Sequence, residues 1–130
     1  MDNLDLIREF YSAFKAKDSQ AYVGMCDDNI EWTVMDGMPG GGTFVGKKAV
    51  FEGYFPSMLS NFSDFHAVAD EFLAADGGAI VLGRYIGTAK NTGKKFESRF
   101  AHVYVVGGGK ITKFRQYADT HKIQNAIRRE

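Results

Sequence analysis

From residue 62 onward the chain alternates apolar and polar side chains in four long runs, each ended by a glycine-bearing break. This period of two constrains the fold more than any other feature. Phe62 to Ala75 is predicted as one strand, followed by the tight turn Asp76-Gly77-Gly78. Ala79 to Ala89 follows, then the turn Asn91-Thr92-Gly93. Lys95 to Val106 precedes Gly107-Gly108-Gly109, and Lys110 to Asp119 completes the set. Short turns of this kind join antiparallel neighbours, so the second half is predicted as a meander.

The first half reads differently. Leu4, Ile7, Phe10, Tyr11 and Phe14 recur at three- and four-residue spacing, with Asp5, Arg8, Glu9 and Lys15 on the opposite side, which predicts an amphipathic helix capped by Asp2 or Asn3. A shorter helix follows Asp18 or Ser19 and ends near Asp27-Asp28-Asn29. From Ile30 a strand carries Trp32, Val34 and Asp36 on one face. It runs into Asp36 to Gly42, too rich in glycine and proline for regular structure. Lys47 to Leu59 is predicted as a third helix, kinked or broken at Pro56. A short last helix, capped by Asp119 or Thr120, runs through Arg128. The order gives an α+β domain over residues 1–130, with a curved, mostly antiparallel sheet on three helices of the N-terminal half.

Composition narrows the class of function. Sixteen basic residues balance sixteen acidic ones, which disfavours a nucleic-acid or polybasic membrane partner. The single Cys26 makes neither a disulfide nor a thiolate metal site, and is expected to be a small buried apolar group. No signal-type leader and no apolar run of about 20 residues stands out, so a cytoplasmic setting without a membrane partner is expected. Fifteen glycines, 11 phenylalanines and six tyrosines suit a curved sheet lined by large rings.

Strand parity supplies the candidate site. Asp36 is in phase with Trp32 and Val34, and Arg84 with Ile80, Leu82 and Ile86. His102 shares a face with Phe100 and Tyr104, and Gln116 one with Phe114 and Ala118. A polar residue among large apolar ones on its own face is expected to be buried and to need a partner. Plainer alternatives stand beside each functional reading. Asp36 suits a turn, Arg84 a surface ion pair, His102 and Tyr11 a satisfied core, and Asp119 a helix cap. Phe65, Val81, Tyr85, Val103, Val105 and Tyr117 fall out of phase with the pocket set and are expected on an outer, dimer-forming face.

The opening helix with Tyr11, the strand Ile30-Glu31-Trp32 and Phe44-Val45-Gly46-Lys47 carry a resemblance, completed by Phe100 to Val106 through Gly109-Lys110-Ile111 to Tyr117-Ala118-Asp119. The chain resembles the nuclear-transport-factor-2-like, or ketosteroid-isomerase-like, superfamily, and within it the SnoaL-like proteins. That resemblance implies a conical half-barrel with an internal pocket, commonly dimeric through the outer sheet face. It hosts enzymes and non-catalytic binding modules alike. Tyr11 and Asp36 fall where ketosteroid isomerase has its oxyanion Tyr and its base, and His102 near the place of its protonated Asp. Gln116 stands where SnoaL-type cyclases carry a catalytic Asp, and Arg84 alone does not supply the Asp-Arg-Asp set of limonene-epoxide-hydrolase-like members.

The expected function is therefore cofactor- and metal-independent proton transfer next to a carbonyl, of isomerase or cyclase type. Asp36 or His102 would be the base, and Arg84 with Tyr11 would face the enolate oxygen. Trp32, Phe14, Phe55, Met58, Phe100, Tyr104 and Gln116 would line a pocket for a small apolar molecule bearing a carbonyl or carboxylate. The rival expectation is a binding module of the same fold without chemistry.

Overall fold

The computed structural model describes residues 2–128. Helix α1 (Asn3–Lys15) is capped by Asp2, whose carboxylate accepts from the Asp5 N–H at 2.8 Å, and it buries Leu6, Ile7, Phe10 and Ala13. Asp18 caps α2 (Ser19–Gly24) in the same way, accepting from the Ala21 N–H. Strand β1 (Cys26–Val34) starts four residues before the expected Ile30. The polar run Asp27-Asp28-Asn29 looks like a helix end in sequence, yet Cys26 is held in register with Ile111, and an irregularity before Glu31 absorbs the polar residues.

A second difference is β2 (Gly42–Val45), which the glycine-rich stretch hid. It pairs antiparallel with β1. The third helix divides in two: Lys48–Tyr54 is π-helical, and α3 (Phe55–Leu59) is α-helical. Pro56 stands in the first turn of α3, where its missing N–H costs nothing, so the expected break falls just ahead of it.

The meander is as predicted: β3 (Phe62–Ala75), β4 (Gly78–Ala89), β5 (Lys95–Gly107) and β6 (Lys110–Ala118), followed by α4 (Thr120–Ile127). The six strands form one sheet in the order β2-β1-β6-β5-β4-β3, antiparallel throughout except for β1 against β6. The sheet is curved and open, and the fold is α+β as expected. Its concave side packs on α1 and the π-helical turn through a core in which aromatic rings lie among aliphatic side chains. Trp32 stacks on Phe114 at 3.8 Å, and Phe10 meets Phe14, Tyr22, Trp32 and Tyr104 edge-on or tilted.

Parity holds on β5 and β6 and fails on β4. Val81, Tyr85 and Ala89 point inward and are buried, while Leu82 is exposed. Ile80, Leu82, Arg84 and Ile86 therefore belong to the outer face. The inner positions Gly83 and Gly87 leave room for rings from β5. A Cβ on Gly83 would lie 2.6 Å from the Phe100 ring and 2.1 Å from the Val68 carbonyl oxygen, and one on Gly87 would lie 2.9 Å from the Phe96 ring. The inner face of β4 is small because the rings beside it are large.

Candidate functional site

Inside the cone five polar side chains form one continuous chain of hydrogen bonds. His102, on β5, lies between two tyrosines, with Tyr11 Oη 2.5 Å from Nδ1 and Tyr85 Oη 2.5 Å from Nε2. Tyr104 donates its hydroxyl to Tyr11 Oη at 2.8 Å, and Gln116 Nε2 donates to Tyr85 Oη at 2.7 Å. His102 and Gln116 are each only 4% exposed. Cross-strand register explains the meeting: His102 pairs directly with Gln116 of β6 and with Val81 of β4. Phe100 stacks on the imidazole at 3.8 Å and 9°, and Phe114 meets its edge. One polar atom is left over, the buried Gln116 Oε1, which has no partner among the described residues.

Burial sets the protonation of this chain. Desolvation disfavours the imidazolium and lowers His102 to about 3, so the ring is neutral at physiological pH. The same effect pushes the hydroxyls of Tyr11, Tyr85 and Tyr104 above the ordinary phenol range, and they too stay neutral. The arrangement offers uncharged donors and acceptors; it contains no group that exchanges a proton near pH 7.

The other expected participants lie elsewhere. Asp36 is exposed in a turn closed by the Met38 N–H to the Met35 carbonyl, so the turn reading describes its position and it does not reach His102. Arg84, on the outer face, donates to Asp70 at 3.1 Å and to Glu97 at 3.3 Å, which is the surface ion-pair alternative. Asp70 reaches it because it is the extra residue of a bulge between Ala69 and Glu71. Tyr85, expected on the outer face, is a central member of the network. Its signal in the sequence was the pair of glycines flanking it at spacing two. Asp119 occupies the N-cap position of α4 without a capping side-chain bond. Cys26 is buried, and desolvation pushes its thiol up to about 12, so it behaves as an apolar filler.

Among the expected lining residues, Phe100, Tyr104 and Gln116 surround His102 as described. Trp32, Phe14 and Phe55 gather in a second group with Tyr22 and Phe51. Phe14 stacks on Tyr22 at 3.9 Å, Phe51 lies parallel to Phe55, and Trp32 approaches Phe55 at 5.4 Å. Phe14, Tyr22, Phe51 and Phe55 are only half-buried, and this group is joined to the network through Phe10 and Trp32. Met58 is buried in the common core. A groove of about 850 Å3 lies outside the cone beside α4, lined by residues including Lys95, Phe96, His121 and Lys122. A smaller one of about 200 Å3 lies near Asn61 and Lys90, and neither is lined by His102 or its partners.

A SnoaL-like domain pattern matches residues 7–114. The chain belongs to the SnoaL-like family. This family member is similar over nearly its whole length to an NTF2-like protein from Burkholderia thailandensis, with 32% identity and a TM-score of 0.93, covering 98% of this chain and 99% of that one. More distant structures share the fold. They include TerC co-crystallised with polyporic acid (22% identity, TM-score 0.86, 96% and 97% covered) and a ketosteroid-isomerase-like protein from Catenulispora acidiphila in complex with trimethylamine (14%, 0.78, 94% and 91%). No curated protein matches the sequence.

Proposed function

We propose that this SnoaL-like protein is a non-catalytic small-molecule-binding module, whose guest is a flat aromatic molecule bearing oxygen. The observation that carries the reading is Gln116 Oε1, a buried acceptor with nothing to accept from, at the end of a neutral hydrogen-bonded chain. Such an atom costs about 1–3 kcal/mol, which a purely structural core avoids with an apolar residue. The half-buried rings of Phe14, Tyr22, Phe51 and Phe55 are the covering layer that would part for a guest, and the π-helical turn that carries Phe51 is a geometry frequent at functional sites. The polyporic acid co-crystallised with TerC, a protein of the same fold, supports an oxygenated aromatic class.

Proton transfer next to a carbonyl, the isomerase or cyclase reading, has less support. It needs a base near the guest, and His102, lowered to about 3, is a weak proton acceptor, while Asp36 is outside the network.

Titration calorimetry with polyporic acid tests the binding reading. The native protein is expected to bind, and Gln116→Leu to remain folded and lose at least tenfold in affinity. Equal affinity in both proteins, or no binding by the native one, overturns the reading.

A second copy of the chain is the proposed partner, through the outer sheet face. Support comes from two cross-strand rows: Leu73, Ile80 and Val103 in one, Leu82, Ala101 and Tyr117 in the next. Leu73, Leu82 and Tyr117 are 38%, 37% and 48% exposed. Val81 and Tyr85 leave the expected dimer face because they are inside, and so does Phe65, whose ring packs 5.0 Å from that of Tyr85.

A further inference from the structure

The hydrogen bonds around His102 have a direction, and that direction says what a guest must bring. A neutral imidazole has one N–H, so one ring nitrogen donates and the other accepts. Tyr85 Oη already accepts from Gln116 Nε2. With the Gln116 amide oriented so that Nε2 faces Tyr85, a further donation from His102 Nε2 would leave the hydroxyl proton of Tyr85, a buried residue, with no acceptor. The satisfied arrangement has Tyr85 donating to Nε2, which places the ring proton on Nδ1. Nδ1 then donates to Tyr11 Oη, which also accepts from Tyr104. The proton left over is that of Tyr11, whose side chain is only half-buried. The two free ends of the chain are therefore a donor at Tyr11 and an acceptor at Gln116 Oε1.

We infer that the site selects a guest carrying its own hydrogen-bond donor, an aromatic O–H directed at Gln116 Oε1, together with an oxygen that accepts from Tyr11. This inference rests on the binding reading above and deepens it. A ketone or ether of the same shape leaves Gln116 Oε1 unpaired, and discrimination against a missing donor is larger than against a missing methylene. The hydroxyl end is specified by Gln116, since a carboxylic acid at this position would contribute a charge rather than a fixed neutral acceptor.

Two measurements test it. Nitrogen-15 NMR of histidine-labelled protein reads the His102 tautomer without any ligand, and the Nδ1–H form is expected. Finding Nε2–H overturns the inference while leaving the binding reading intact. Calorimetry then compares 2-naphthol with 2-methoxynaphthalene, which share an aromatic body and differ in the donor. The hydroxyl compound is expected to bind about tenfold or more tightly, and Gln116→Leu to abolish the difference. Equal binding of the two, or binding of neither, overturns the inference. Failure of the binding reading is marked separately by the polyporic acid titration.

Discussion

His102 is the residue on which the interior turns, and its burial makes stability depend on pH in a defined sense. Its folded value, about 3, lies below the value of about 6.5 for an exposed imidazole. The unfolded chain therefore binds the proton more readily between those values. The contribution to stability is complete above about pH 6.5 and falls as pH drops toward 3, by up to about 1.4 kcal/mol per pH unit. Urea midpoints measured from pH 7 to pH 4 are expected to fall, and His102→Phe to flatten this component of the slope. The strand periodicity revealed His102, Tyr104 and Gln116 as inward residues, because large rings alternate with them on β5 and β6. Asp36 misled because the strand ends at Val34, and beyond a strand's end period-two reading carries no information.

At the scale of elements, β4 shows why hydrophobicity alone misassigns a face. Its even positions, Ile80, Leu82 and Ile86, are the more apolar set, yet the odd positions, small apart from Tyr85, face inward. What decides is volume: Phe100 and Phe96 lean across from β5 and occupy the space that side chains at 83 and 87 would need. Gly83→Ala is accordingly expected to cost about 1–3 kcal/mol, read as a lower denaturant midpoint, although alanine suits a strand no worse than glycine. An unchanged midpoint would mean that the Phe100 ring and the Val68 backbone yield freely. The element order, the meander and the break at Pro56 were legible from turn residues and from proline's missing donor. β2 was not, since four residues beside a glycine cluster carry too little pattern. The π-helical turn was not either, because its apolar positions satisfy an α-helical period equally well.

The whole molecule has two apolar faces on one sheet, one closed over the aromatic core and one open. No described helix is long and apolar enough to cross a membrane. The open face, centred on Leu82 and flanked by the Arg84–Asp70–Glu97 ion pairs, is expected to hold two copies together. Sedimentation equilibrium is expected to give a dimer for the native chain and a monomer for Leu82→Glu, with the fold intact. A monomeric native protein would remove this proposal. The opposite end of the sheet is fixed by α4: Gln124 Nε2 donates to the Gly37 carbonyl, and Thr120 fills the space beside the Gly37 Cα. The glycine-rich turn that holds Asp36 is thus tied to the last helix.

Trp32 is the chain's single tryptophan, 3% exposed, stacked on Phe114 and edge-on to Phe51 and Phe55. The molecule consequently carries a built-in lamp at the seam between its aromatic covering and its polar centre. Emission from the empty protein is expected at the short wavelengths of a dry indole. A chromophore slipping beneath those rings would dim that glow and shift its colour by contact, whereas one settling in the lysine-lined groove by the last helix would dim it less and leave its colour unchanged.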